Sequence, residues 1–129
     1  MIGSQAILTV TLSVSCWPVV EKKAQEKIIQ QAKALQEAGC FSLVLECVPS
    51  ALAQEITQAL EIPTIGIGAG TEVDGQILVL QDLLGFQKEF RPKFVRRYFE
   101  ANVALQEIFN QYDHDVKNGG FPKPEETYD

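Results

Sequence analysis

Two hydrophobic periods alternate along this chain. Between Glu21 and Ala38 the apolar residues Ile28, Ala32, Leu35 and Ala38 recur at helical spacing with Lys and Gln opposite, which predicts a helix with one buried face. Gly39 follows as its C-terminal stop. At Phe41 the period changes. Phe41 to Leu45 is apolar apart from Ser42, and Glu46 comes next. A run such as Leu43-Val44-Leu45 predicts a strand covered on both faces. Pro49-Ser50 then opens a second helix, with Ser50 as N-cap and Leu52, Ile56 and Leu60 on its inner side, and Pro63 ends it. Thr64 to Ile67 predicts a second strand, which leads into the glycines Gly66, Gly68 and Gly70. Asp74-Gly75 predicts a turn and Ile77 to Leu80 a third strand, with Asp82 just beyond it as N-cap of Leu83-Leu84 or as a strand-end acid. From Pro92 a long helix is expected to about Val116. Phe94, Tyr98, Leu105, Ile108 and Tyr112 form one stripe on it, and Val95, Phe99 and Phe109 another, a width that predicts burial on two sides, the second against another subunit. Asn118 to Asp129, rich in turns and acids, predicts a loose arm, and Ala6 to Val14 predicts a β-strand at the other end.

The alternation of helices and strands predicts an α/β fold with a parallel sheet and crossover helices. The link from Gly68 to Gln76 holds no helical pattern, so an irregular loop or a short helical turn is expected where a crossover would stand.

Composition narrows the class. A chain of 129 residues is one domain by length. A net charge of -6, with scattered Lys and Arg, excludes a nucleic-acid surface; the dense group Arg91 to Arg97 is interleaved with Phe94 and Val95. Cys16, Cys40 and Cys47 are odd in number and form no CxxC pair, which points to free thiols in a reducing, cytoplasmic setting. Met1 to Val20 lacks the basic start of a secretory signal and is too broken for a membrane span.

The candidate chemistry centres on Glu46. A carboxylate directly after an apolar strand is part-desolvated yet reachable by a ligand, which suits a general base or acid. The alternative from local sequence is a structural carboxylate that caps the next helix or pairs with a Lys. The GIGAG series has the wrong spacing for a dinucleotide fingerprint; its glycines are expected to allow close backbone or ligand approach at a strand end. Glu46, Asp74 and Asp82 are the acids near strand ends, and no set of residues makes a metal site. His114 is the single histidine and is expected on the surface of the last helix. Cys47 could act as a nucleophile, but a free Cys is more often a small buried hydrophobe.

These residues also carry a resemblance. The runs AGCFSLVLECVPSALAQEIT, IPTIGIGAG, DGQILVLQDLLGF and PKFVRRY, in that order, with the closing GGFPKPEETY, resemble the ketopantoate hydroxymethyltransferase family over about Ala24 to Tyr128. The resemblance implies the C-terminal part, about three βα units, of a (β/α)8 TIM barrel in a large homo-oligomer. Phe41–Glu46, Thr64–Ile67 and Ile77–Leu80 would be its strands six, seven and eight. It implies that a one-carbon unit passes from 5,10-methylenetetrahydrofolate to 3-methyl-2-oxobutanoate, giving 2-dehydropantoate for pantothenate and coenzyme A synthesis. Mg²⁺ chelates the oxo acid, and the family's proton-accepting glutamate maps onto Glu46.

The departures are equally specific. The family's metal ligands and its substrate-binding Ser and Lys lie in a half that has no counterpart here, so Glu46 is the one catalytic residue carried over and no metal ligand is. A His common in the family stands as Gln81. Residues 1–20 do not resemble the family, and residues 21–129 form the partial barrel. The chain is therefore expected to be a truncated product whose upstream DNA encodes the missing half, with little or no turnover alone. The alternative is a non-catalytic partial barrel that associates with full-length subunits.

Overall fold

The computed structural model describes residues 9–13, 22–89 and 91–128. Its elements, in chain order, are β1 (Thr9–Ser13), α1 (Lys22–Glu37), β2 (Ser42–Glu46), α2 (Ser50–Ala59), β3 (Thr64–Ile67), β4 (Gly75–Gln76), α3 (Leu80–Leu84) and α4 (Ala101–Lys117), with a short 3-10 turn at Pro124–Glu126. The chain divides into two compact units, Met1–Leu78 and Val79–Asp129.

The first unit is a four-stranded sheet in the order β1-β2-β3-β4, parallel at every step. The expected α/β class is thus observed, and the strand predicted within Ala6 to Val14 joins the sheet: β1 pairs along its whole length with β2, Thr9 opposite Ser42 and Ser13 opposite Glu46. Residues 6–8 and 14 of the strand predicted there lie outside the described residues, as do Cys16 and Glu21. Period-two alternation puts Leu43 and Leu45 on the helical side of β2, where both are fully buried. They meet Ala32 of α1, Leu52, Ala53 and Ile56 of α2, and Val48 and Ala69 from the loops. Burying each of the large aliphatic side chains in this cluster contributes about 1.5–3 kcal/mol. α1 ends where Gly39 was expected to stop it: Gly39 has φ 94°, and the amides of Gly39 and Cys40 close back on the carbonyls of Gln36 and Leu35.

Ser50 is the first residue of α2 rather than its N-cap. Pro49 holds the cap position, and no side-chain hydrogen bond caps the helix. The predicted third strand, Ile77–Leu80, is also corrected. Pairing with β3 involves Gly75 and Gln76 and ends with the Ile77 amide on the Gly66 carbonyl, at 2.9 Å; Leu80 already begins α3. A short apolar run fits a strand and a half-buried helix equally well, and here it contributes to both. Asp82 consequently lies in the first turn of α3, whose N-cap is Val79, where its charge complements the helix dipole.

The link between β3 and β4 contains no helix, as expected. Instead the loop itself packs on the sheet. Ala69 is buried in the core, Val73 packs against it, and Val73 Cγ2 would stand 2.8 Å from any Cβ at Gly66. Gly66 therefore leaves the space that this helix-free crossover fills.

The second unit corrects the long helix. α4 begins at Ala101, not near Pro92, so Phe94, Val95, Tyr98 and Phe99 are not on it. Residues 92–100 have partners other than a helical ladder. The Tyr98 amide donates to the Leu83 carbonyl at 2.8 Å, and the Arg97 guanidinium donates to the carbonyl of Gln87. Bonds to α3 and its following loop override local periodicity. Val95 and Ala101 are buried. His114 is exposed on α4 as expected. The tail is not a loose arm. It turns back at Gly119, the Gly120 amide donates to the Asp115 carbonyl at 2.8 Å, and Phe121 lies against Tyr112 with ring centroids 5.5 Å apart.

Candidate functional site

Glu46 stands at the carboxyl end of β2, the end at which open parallel sheets present their ligands. Alternation gives it the same face as Ser42 and Val44, opposite the core residues Leu43 and Leu45. That face lies away from α1 and α2, which leaves Glu46 half-buried rather than sealed. Its register neighbours are Ser13 in β1 and Ile67 in β3. The backbone on either side is held. The Leu43 amide donates to the Pro63 carbonyl, and the Cys47 amide donates to the Ile67 carbonyl, both at 2.9 Å. Cys47 takes the left-handed region at φ 55°, which breaks the pleat immediately after the carboxylate and returns the chain to the core through Val48. A rigid strand end thus presents one carboxylate, a geometry suited to taking up or giving a proton.

Asp74, expected as a turn residue, has a definite task. Its Oδ2 accepts the Thr64 amide at 2.8 Å and the Thr64 hydroxyl at 3.0 Å. Thr64 is fully buried, and its Oγ1 lies 2.8 Å from that of Thr57, which also donates to the Ala53 carbonyl at 2.9 Å. With the Thr64 proton given to Asp74, the Thr57 proton is shared between the Thr64 oxygen and Ala53. This latch ties the return of the 68–74 loop to the start of β3 and to α2. Sequence reading missed it because Thr64 and Asp74 are ten residues apart with no periodic relation.

The hydrogen bonds from Thr64, its amide first and its hydroxyl second, hold the Asp74 carboxyl below its ordinary value of 3.8. A carboxyl that titrates lower folded than unfolded adds stability above its unfolded value, and that stability is lost as pH falls through the folded one. Asp74→Asn is therefore expected to weaken the fold near neutrality and to differ less from the parent in acid. Urea midpoints measured from about pH 6 down to about pH 3 check this, and a difference constant across that range would contradict it.

Glu46 and Asp74 are not brought together. Thr64, to which Asp74 is bound, pairs with Leu43, at the opposite end of the strands from Glu46 and on the opposite face. Among the described residues, no three His, Cys, Asp or Glu side chains gather into a group that could hold a metal ion. The GIGAG glycines serve approach within the chain: Gly66 admits Val73, and a Cβ on Gly70 (φ 86°) would run into Ser50 at the start of α2. Cys40 is buried and Cys47 half-buried.

The model of the family described as ketopantoate hydroxymethyltransferase matches residues 14–124. The chain belongs to this family. Its match starts inside the segment 1–20 that was read as unlike the family. Curated relatives agree. A 3-methyl-2-oxobutanoate hydroxymethyltransferase of Bdellovibrio bacteriovorus is 56% identical over 108 residues, which are 84% of this chain and 41% of that protein. Proteins of the same name from Chlorobium phaeobacteroides and Francisella tularensis are 52% and 48% identical over 108 residues, covering 39% and 41% of their lengths. The chain thus spans about two fifths of the length of these relatives.

Proposed function

We propose that this chain carries the proton-transferring end of a 3-methyl-2-oxobutanoate hydroxymethyltransferase, with Glu46 as the base. The observation that supports this most is the isolated, half-buried carboxylate at the end of β2, inside the region matched by the family model. In this reading the parallel sheet is an arc of a (β/α)8 barrel, whose reacting groups stand at the carboxyl ends of its strands. Glu46 takes a proton from C3 of the 2-oxo acid. Water releases the one-carbon unit of 5,10-methylenetetrahydrofolate as formaldehyde, with both carbon–nitrogen bonds broken and both nitrogens left as N–H. The electron pair on C3 attacks the formaldehyde carbon, and its oxygen takes up the proton from Glu46 to become the product hydroxyl. The strand end orients Glu46, and the Cys47 and Leu43 amide bonds hold that orientation. Mg²⁺ does not fit the described residues, among which no three His, Cys, Asp or Glu side chains gather.

The odd number of cysteines, with no CxxC pair, supports a cytoplasmic setting. No described helix is long and apolar enough to cross a membrane. The outward stripe of α4, with Ile108 59% and Phe109 64% exposed, supports a homo-oligomer. Among the described residues the sheet has open edges at β1 and β4, which favours a second reading, a non-catalytic partner of full-length subunits.

One experiment separates the two readings. The chain is combined with a separately expressed N-terminal part of the Bdellovibrio bacteriovorus relative, and 2-dehydropantoate formation is followed. The chain alone is expected to be nearly inactive and the combination active. An inactive combination that nevertheless forms a complex supports the non-catalytic reading.

A further inference from the structure

We propose that Cys47 and Gly68 are positioning residues for Glu46: matched left-handed turns after β2 and β3 send the next side chains into the core and keep the approach to the carboxylate clear. This rests on reading Glu46 as the base and goes beyond it by naming what lets a ligand reach that base.

Strand alternation is the starting point. Glu46 and Ile67 are register partners, the last pair of the β2–β3 ladder. Successive side chains of a strand point to opposite faces, so an unbroken pleat would put Val48 on the face of Glu46 and Ala69 on the face of Ile67. They would stand two residues further on, roughly 6–7 Å along the strands, over the space that a reacting carbon must enter. The structure does the reverse. Val48 is 2% and Ala69 1% exposed, and both belong to the core cluster with Leu45, Leu52 and Ile56, on the helical side.

The cause is the residue between. Cys47 has φ 55° and Gly68 has φ 64°. A left-handed residue breaks the pleat, so the side chain after it changes face. The two residues stand one position beyond the same register pair, and the neighbouring strands therefore break at one level. The Cys47 amide still donates to the Ile67 carbonyl at 2.9 Å, so the strands stay paired up to the break. Glu46 is left as the last side chain on its face of β2.

The chemistry of the two positions adds weight. Glycine takes a positive φ at no steric cost, whereas among the described residues Cys47 is the one non-glycine residue that does so. Strain of this kind persists only where the surroundings over-determine it, and it gathers at ligand sites. Here the ladder bond holds Cys47 on one side, and buried Val48 with the α2 cap residue Pro49 holds it on the other.

Carboxyl labelling of the purified chain with a water-soluble carbodiimide and glycinamide, mapped by peptide mass spectrometry, reads the approach to Glu46 directly. Glu46 is expected to react in the wild type, with exposed Glu61 as the reference. Cys47→Val and Gly68→Val place a β-branched side chain where it strongly disfavours a positive φ, so the pleat continues and Glu46 labelling should fall several-fold relative to Glu61. Cys47→Asn and Gly68→Asn tolerate the left-handed region and should keep it near the wild-type rate. Unfolding would move labelling the other way, because it exposes Glu46. In the combined halves, kcat/KM should fall by about 10²-fold in the Val variants and be rescued in the Asn variants. An unlabelled wild-type Glu46, a loss of labelling in the Asn variants, or folded Val variants that label like the wild type would each overturn the proposal. The first two need no Val variant, so misfolding of one leaves the proposal open to refutation. Labelling that follows the series while turnover ignores it would remove Glu46 from the chemistry and leave the clearing standing.

Discussion

Glu46→Gln is expected to lower turnover of the combined halves by about 10²–10⁴-fold, the usual contribution of a positioned general base. The substitution keeps side-chain length and removes only the ability to accept a proton. Among the described residues the Glu46 carboxylate holds no other part of the fold in place, so the variant should keep the circular dichroism of the parent. Because the lost interaction acts in the transition state, kcat and kcat/KM should fall together while KM changes little. Glu46→Asp retains a carboxylate withdrawn by one methylene, and should recover part of the rate. Full activity of Glu46→Gln would remove Glu46 from the chemistry. An equal loss in Gln and Asp accompanied by a lower urea midpoint would make it a structural carboxylate instead.

Leu45→Ala carries the largest expected effect on stability, about 2–5 kcal/mol. Leu45 is fully buried, in the cluster where β2 meets α1, α2 and the 68–74 loop. Truncation forfeits its transfer from water and leaves a void that two helices and a rigid strand can fill only in part. Domains of this size are stable by about 5–15 kcal/mol, so the loss is a large share of the whole. Equilibrium urea unfolding measures it. Lys33→Ala, on the exposed side of α1, should stay within about 0.5 kcal/mol of the parent. Similar midpoints for the two variants would show that the cluster around Leu45 is not the core.

Much of the first unit was legible along the chain because its signals are local. Leu43 and Leu45 had to be covered, and α1 and α2 carry the apolar positions that cover them. Gly39 ended α1 by a conformation that few other residues take. Glu46 was legible for the same reason: an acid directly after a buried run can stand only at its end. The local pattern leaves a base and a cap both open; the reading as a base comes from the family's motifs and is what Glu46→Gln tests.

The failures share a cause as well. Residues 92–100 have apolar spacing that continues into α4, yet the Tyr98 amide and the Arg97 guanidinium find partners on α3 and the loop after it. Periodicity reports which side chains seek burial, not which backbone groups already have a partner elsewhere. Ile77–Leu80 failed because a run apolar at every position has no period to read. Ser50 and Asp82 failed at element ends, where a shift of one or two residues changes a cap into a helical residue.

By itself, then, the sequence determined the α/β class, the covered strand β2, the place of Glu46 at its end and the family, since each depends on neighbouring residues or on motif order. Only the tertiary structure decided that β1 joins the sheet, that a glycine-lined loop replaces a helix between β3 and β4, and that Asp74 latches Thr64 away from Glu46. Those outcomes rest on contacts between residues distant in the chain, which no local pattern encodes.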